Sequence, residues 1–493
     1  MLFNSLLFLV FFTVVTILYW IIPGKFRWIL LIAASLFFYG VYIPEYTAIL
    51  ALSVLMNYGI GLWIGKTAED KKRSRLLVLG VVLNVALLGV FKYATNLLPL
   101  LTGKEGAGGW IMPLGISFFT FTNLSYLIEV KRRKWEPERH LGYFTVFVTF
   151  FPKLIQGPIE RPQTFLSQVK EPRVFEYDRA VSGLRLMLWG FFKKLVIADR
   201  LALAVNPIYD NPQSYSGPAI VLATIFYSIQ IYADFSGYID IARGAGKLLG
   251  FELLKNFNIP YAAKSIKDFW TRWHMSLSNW LRDYIFLPVA YSLSRKMKKD
   301  RYFGMRTDNI LYSVAITVTF LLCGIWHGVG WTFLLWGALY AFYLVIGHLT
   351  EKPKRRFYRK IGLLDIKWLY HSLQIIVTFT LVTIAWSLFR AKDLYEFSEI
   401  ITGSLSGWTD VIQHPASSIQ HLVNPAFTLI DFAITLCAAP MMFIVESPLF
   451  TNKIWKWFTS KHFLFRWVLY YGVLFLIFLL GKFDNASFIY YQF

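Results

Sequence analysis

The side chains best suited to chemistry in this sequence sit where apolar chain would be expected to continue. Leu321-Leu322-Cys323-Gly324-Ile325-Trp326-His327-Gly328-Val329-Gly330-Trp331-Thr332-Phe333 joins two long apolar runs, and His327 interrupts it. An imidazole has a free pKa of about 6.5, so it can take and return a proton near neutral pH. Ionisable groups at membrane depth are costly enough to be functional candidates by default. Gly324, Gly328 and Gly330 flank the histidine and admit a ligand or another helix close to the backbone. The competing role is a structural histidine bonded to a carbonyl. Cys323 lies four residues before His327, on the same face of a helix. A Cys–His pair is conceivable there, but a small residue packing between membrane helices is the simpler role.

Three further clusters carry polar groups in apolar surroundings. In the run from Ser265 to Tyr284, Trp270, Trp273, Leu277, Trp280 and Tyr284 recur at spacings of three and four. They read as one amphipathic helical stripe, and its aromatic rings suit a helix at headgroup level. Asp268 and Arg272 can pair at i,i+4. His274 falls on the buried edge of the stripe, where a lone histidine is most simply a satisfied structural group. In Tyr232-Ala233-Asp234-Phe235-Ser236-Gly237-Tyr238-Ile239-Asp240, Asp234 and Tyr238 share a helical face and could hold a buried Arg or His through hydrogen bonds. A structural network fits them better than direct catalysis. Between Phe151 and Arg161, Pro152, Gly157 and Pro158 break any helix. Lys153, Gln156 and Arg161 could bind an anionic group there, or the segment could be an interfacial loop against lipid headgroups.

The elements that must position these groups are membrane spans. The chain has 493 residues, 56% hydrophobic, 18% aromatic and only 16% charged, against about 25% charged in soluble domains. Its apolar residues come in runs of the length, about 20 residues, that crosses a bilayer core. Candidate spans are approximately 1–22, 26–43, 46–64, 76–97, 110–130, 143–156, 180–206, 218–242, 309–327, 329–348, 372–389, 425–446 and 464–482. Met1 to Ile22 has no charged residue, no basic start and no small-residue cleavage site, so it reads as a retained first span rather than a signal peptide. The 110–130 stretch opens on Trp110-Ile111-Met112-Pro113-Leu114-Gly115 and reads as a broken or re-entrant helix. Such backbone is tolerated at membrane depth only when buried in protein or lining a wet cavity.

The net charge of +21 sits in short loops between apolar runs. Nucleic-acid binding is therefore set aside in favour of the positive-inside rule, with a share left over for a phosphorylated donor. The loops at Lys66–Arg75, Lys131–Lys134, Arg295–Arg301 and Lys352–Lys360 are assigned to the cytoplasm. The N-terminus, the Glu45 turn and the Thr102–Gly109 loop are assigned outside. Cys323 and Cys437 are the two cysteines; they support neither a disulfide framework nor a metal site. With no internal repeat and no linker, residues 1–493 read as one membrane domain.

Several motifs occur together and in order: Pro113-Leu114-Gly115-Ile116-Ser117-Phe118-Phe119-Thr120-Phe121, Gln156-Gly157-Pro158, Asp234-Phe235-Ser236-Gly237-Tyr238, Asp268-Phe269-Trp270 through Arg272-Trp273-His274, Trp326-His327-Gly328, and the terminal Phe488-Ile489-Tyr490-Tyr491-Gln492-Phe493. This series resembles the membrane-bound O-acyltransferase superfamily and, within it, the bacterial alginate O-acetyltransferase branch. The resemblance implies an all-α polytopic bundle of about 11–13 transmembrane and re-entrant helices with a central tunnel and a catalytic core at about 110–350. It also implies transfer of acetyl from acetyl-CoA, a co-substrate rather than a resident cofactor, in a bacterial cytoplasmic membrane. The acceptor would be an exported polysaccharide, reached through an extracytoplasmic acetyltransferase partner. D-alanyl transfer to a teichoic acid or carrier is the neighbouring alternative. A transporter or flippase is the alternative of another class, since broken helices with intramembrane Asp and His fit transporters too.

The resemblance also implies residue roles. His327 matches the catalytic histidine and His274 a second histidine near the tunnel. As general base His327 would contribute roughly 10²–10⁴-fold. Trp326, Trp331 and the glycines would shape a narrow, dry channel. His274, oriented by Asp268 or Asp234, would position the donor. Lys153, Arg161, Arg272 and Arg282 are candidates for its phosphates, with Ser117, Gln156, Trp270, Trp273 and Tyr238 as further substrate-binding positions. One departure stands out: the Arg282-Asp283-Tyr284 helix runs into Leu287-Pro288-Val289-Ala290-Tyr291 where the branch commonly has a Gly-Gly loop, which bears on the acceptor. A span starting near Asn309 puts His327 about 18 residues, or roughly 27 Å, into the bilayer. The two histidines then read as two stations along a passage.

Overall fold

The computed structural model of the chain describes residues 1–41, 44–102, 112–409, 427–448, 450, 453, 455–483 and 488–489. The Trp110-Ile111 opening of the 110–130 stretch, the 103–109 part of the expected outer loop and the terminal residues 490–493 lie outside the described residues. Among the described residues regular structure is helical, apart from one small antiparallel hairpin, β1 (Arg301–Tyr302) with β2 (Met305–Arg306). The all-α polytopic expectation holds. Eight helices among the described residues are long and apolar enough to cross a membrane.

The first helices are α1 (Leu6–Ile21), α2 (Arg27–Gly40), α3 (Glu45–Lys66) and α4 (Asp70–Thr102). The expected break before residue 116 is present: Gly115 adopts a left-handed conformation, φ 75°, and α5 (Ile116–Lys131) starts after it. A side chain at Gly115 would also collide with the Leu154 carbonyl. The candidate span at 143–156 resolves into α6 (Leu141–Thr149) and the four-residue α7 (Phe151–Leu154). Pro152, Gly157 and Pro158 prevent one continuous helix. After α8 (Pro162–Lys170), the 180–206 candidate becomes α9 (Tyr177–Phe191), a π-helical stretch Phe192–Ala198, and α10 (Asp199–Asp210). The long α11 (Gly217–Leu248) follows.

The expected single stripe over Trp270–Tyr284 is instead two short helices, α12 (Ile266–Trp270) and α13 (Met275–Leu281). Residues 271–274 separate them, and His274, directly before the second helix, has a left-handed backbone, φ 43°. A second π stretch, Arg282–Phe286, leads into α14 (Leu287–Lys296). Then come α15 (Thr307–His327), α16 (Trp331–Lys360), α17 (Lys367–Arg390), α18 (Leu394–Gly403), α19 (Leu429–Glu446), α20 (Trp455–Thr459) and α21 (Phe463–Leu480).

The chain forms two compact units. One comprises residues 1–192 and 235–255 with a short C-terminal piece; the other comprises 193–234 and 256–482. In the first unit, polar side chains bind apolar helices together. The amides of Asn57 on α3 and Asn84 on α4 exchange hydrogen bonds of 3.1 and 2.7 Å, and Asn123 on α5 donates to Ser53 Oγ at 3.0 Å. Such contacts hold membrane helices where the hydrophobic effect does not. In the second unit, α15 and α16 form a tight hairpin. A Cβ at Gly324 would come within 2.4 Å of the Phe333 carbonyl oxygen, and one at Gly337 within 2.3 Å of the Phe320 carbonyl oxygen. At Gly324 the close approach is therefore to another helix.

Candidate functional site

His327 is the last residue of α15, and the helix stops because Gly328 is fully extended. His327 stands at the far end of a 21-residue helix that begins at Thr307, close to the expected start near Asn309. The imidazole is buried. It meets the edges of Trp336 and Phe389 at 5.0 and 5.1 Å and tilts against Trp326 at 4.5 Å. Trp326 is half-buried, but Trp331 is 70% exposed and takes no part in this wall. As the first residue of α16 its ring falls on the outer face. The inner face belongs to Trp336 and Tyr340, one helical turn apart, whose rings lie 5.0 Å from each other. That i,i+4 aromatic pair was the sequence signal for this wall.

The aromatic packing continues toward His274. Trp336 stacks on Trp386 at 6.2 Å, and Trp386 lies 4.9 Å from Trp273, the residue before His274. Trp270 joins through Trp336 and Tyr340 at 5.9 and 5.0 Å. The indoles of Trp270, Trp273 and Trp280 are thus core residues, not headgroup anchors, because the break at His274 turns their segment inward.

His274 is 1% exposed. Asn256 organises it. The Asn256 Oδ1 accepts the Ser276 N–H at 3.2 Å, and its backbone carbonyl accepts the Met275 N–H at 2.9 Å. A backbone N–H can only donate, so the amide group faces the ring as a donor, 3.4 Å from Nδ1. Nδ1 is then an acceptor, and the neutral ring carries its proton on Nε2. Burial pushes the His274 pKa down to about 3, so the ring stays neutral. Asn256 therefore occupies the place foreseen for Asp268 or Asp234. Asp268 pairs with Arg272 at 2.7 Å, as expected from their spacing, and accepts the Lys264 N–H at 3.0 Å. Burial pushes the Asp268 carboxyl up, but the Arg272 and Lys264 hydrogen bonds outweigh it and hold the group below its ordinary value. Arg272 also reaches the Asn258 carbonyl, and Arg282 is exposed and bound to Asp283 at 2.8 Å.

Asp234 pairs with a lysine, where an arginine or a histidine was expected. It takes the buried Lys194, whose Nζ lies 2.8 Å from Asp234 and 2.8 Å from Asp199. Lys193 pairs with Glu446 at 2.9 Å, and Glu446 also accepts the Tyr232 hydroxyl. Arg200 pairs with Asp431, which Lys482 approaches at 3.3 Å. Lys193, Lys194 and Arg200 escaped notice because they belong to a stretch that otherwise reads as an apolar span.

Tyr238, Lys153, Gln156, Arg161 and Ser117 belong to the other unit. The Tyr238 hydroxyl accepts the Gln156 N–H at 3.4 Å. Residues 151–160 are buried, so this segment is not a loop against headgroups. Lys153 lies between the rings of Phe147 and Phe165, 5.1 Å from each centroid. Glu160 is fully buried and accepts the Thr164 hydroxyl at 2.8 Å and the Leu254 N–H at 2.7 Å. The side-chain amide of Gln156 and the Ser117 hydroxyl are buried with no hydrogen-bond partner. Arg161, at the start of α8, is half-buried. The structure thus brings His327, His274, Trp326, Trp270 and Trp273 into one aromatic body, and gathers Gln156 and Tyr238 in another. Among the described residues no group of His, Cys, Asp and Glu is arranged to hold a metal ion.

Residues 36–389 match the profile of the MBOAT, membrane-bound O-acyltransferase, family. A probable alginate O-acetylase of Azotobacter vinelandii is 35% identical over 389 residues, covering 76% of this chain and 72% of that protein. A peptidoglycan O-acetyltransferase of Helicobacter pylori is 32% identical, covering 76% and 72%. A teichoic acid D-alanyltransferase of Bacillus subtilis is 29% identical, covering 57% and 69%.

Proposed function

The chain belongs to the membrane-bound O-acyltransferase family, and on that premise we propose that it takes acetyl groups from acetyl-CoA at the cytoplasmic face of a bacterial inner membrane and passes them toward hydroxyls of an exported polysaccharide, through an extracytoplasmic acetyltransferase partner. The observation that carries this reading is the setting of His327, a buried imidazole at a helix end walled by Trp336 and Phe389, in a chain similar to proteins named for O-acetylation.

In the proposed step His327 accepts the proton of the acceptor hydroxyl as the oxygen attacks the thioester carbonyl carbon. The C–S bond breaks, the ester forms, and the imidazole returns the proton to the leaving thiolate. The aromatic wall supports this role by keeping water from the thioester. His274 positions the donor rather than acting as base, because burial lowers its affinity for a proton and its acceptor nitrogen, Nδ1, already faces the Asn256 amide.

Membranes carrying His327→Asn, supplied with labelled acetyl-CoA, test the assignment. Acetyl transfer is expected to fall by about 10²-fold or more; near-normal transfer would overturn it. The D-alanyltransferase relative motivates a parallel arm. Incorporation of labelled D-alanine from its carrier, with none from acetyl-CoA, would replace the proposed acyl group.

A further inference from the structure

The first compact unit contains a cavity of about 770 Å³ whose lining includes none of the candidate site residues. Leu62, Gly65 and Lys66 at the end of α3, Arg73 near the start of α4, and the segment from Val130 to Arg139 line it. The lining residues carry four cations, Lys66, Arg73, Arg133 and Arg139, against the single carboxylate of Glu136. Neighbouring acids do not redress that balance, because they are already engaged. Glu69 pairs with Lys72 at 3.2 Å, Asp70 with Lys131 at 3.5 Å, and Glu138 with Lys170 at 2.6 Å.

The excess of cations in the lining points to an anionic ligand, and the wall that carries them is fixed. Arg73 is 5% exposed; its terminal nitrogens donate to the carbonyls of Thr67, Val130 and Lys131, yet its Nε is buried with no hydrogen-bond partner. The Trp135 Nε1 is likewise buried without one. The wall is not uniformly polar: Leu62, Val130, Pro137 and the Trp135 ring add apolar surface. Arg133 is held in place with a left-handed backbone, φ 59°, and donates to the Ala68 carbonyl at 3.4 Å.

We propose that this cavity binds a phosphate ester, with the phosphate among Arg73, Arg133 and Arg139 and the remainder of the ligand against Trp135 and Val130. Guanidinium groups match phosphate oxygens in shape and charge, and basic pockets between membrane helices on the cytoplasmic side suit phosphorylated headgroups. The same chemistry is offered by a soluble nucleotide phosphate and by the headgroup of an anionic phospholipid.

The test uses the full chain in lipid nanodiscs. One arm titrates adenosine 3′,5′-bisphosphate in neutral phosphatidylcholine discs. The other measures by native mass spectrometry the phosphatidylglycerol retained from mixed discs. One probe is expected to bind, and Arg133→Gln with Arg139→Gln, both exposed positions, should weaken it about tenfold or more. Restoring charge with lysine at both positions should recover part of the loss. Nucleotide binding identifies a soluble ligand; selective phosphatidylglycerol retention identifies a lipid. Binding of neither probe, or binding unaltered in the double variant, overturns the proposal. Repeating the titration with His327→Asn separates it from the acyl-transfer reading, since the cavity's affinity should not change.

Discussion

Lys194, in the π-helical stretch Phe192–Ala198, and Lys153, on the short α7, are both buried lysines, one in each compact unit. Lys194 is held by two carboxylates, each at 2.8 Å. Lys153 has aromatic faces instead, Phe147 and Phe165. The contrast extends to their surroundings. Around Lys194, Asp199 and Asp234 complete a buried ion cluster. In the unit of Lys153, the Gln156 amide and the hydroxyls of Ser117, Thr120 and Ser236 are buried without partners. A cluster that pairs its own charges is what a scaffold needs. Open polar atoms are what a site completed by a ligand leaves behind. Buried charge alone therefore does not locate a site; whether an opposite charge pairs it must be read as well.

The largest effect that would sharpen this contrast is expected at Lys194. Lys194→Met strands Asp199 and Asp234 in the interior and should cost about 3–5 kcal/mol. Thermal unfolding of the purified protein reads this as a marked fall in Tm; an unchanged Tm would mean the cluster is not a scaffold. A smaller effect should appear at His274 on acidification. Its folded pKa of about 3 lies below the ordinary 6.5, so the unfolded chain binds the proton and the folded one does not. Stability is then full above pH 6.5 and is lost as pH falls toward 3, by roughly 1.5 kcal/mol between pH 6.5 and 5. His274→Asn, which tolerates the left-handed backbone, should remove that part of the slope in denaturation measured across this range. The smallest effect belongs to Lys153. Met fits between two rings with favourable sulfur contacts, so Lys153→Met should stay within about 1 kcal/mol of the parent protein. A loss equal to that at Lys194 would break the comparison.

What could be read in the sequence was local along the chain. The Asp268–Arg272 pair, the break at Gly115 and the place of His327 at a helix end all depend on spacings of a few residues. The partners of buried charge did not show themselves, because they are distant in the chain. Asp234 lies 40 residues from Lys194, and Glu446 lies 253 residues from Lys193. The stripe over Trp270–Tyr284 misled for a related reason. Its 3.6-residue period was real, but Asn256, 18 residues before His274, engages the backbone N–H groups of Met275 and Ser276 where the helix breaks. Trp331 and Trp336 look equivalent in a list of aromatics, and only the packing of α16 separates an outer ring from an inner one.

The π-helical stretch Phe192–Ala198 makes the protein's length at that point matter more than its composition. A π turn accommodates about one residue more than an α turn. Here the wider turn carries two successive lysines to separate partners, Lys193 to Glu446 and Lys194 to Asp199 and Asp234. Deleting any one residue would let the stretch relax into ordinary helix and shift one flank by a residue relative to the other, drawing cations away from their anions. Apolar exchanges at Leu195 or Val196 leave that phase untouched. The segment should therefore vary in spelling among related proteins while holding its length, much as a spacer does between two meshed gears.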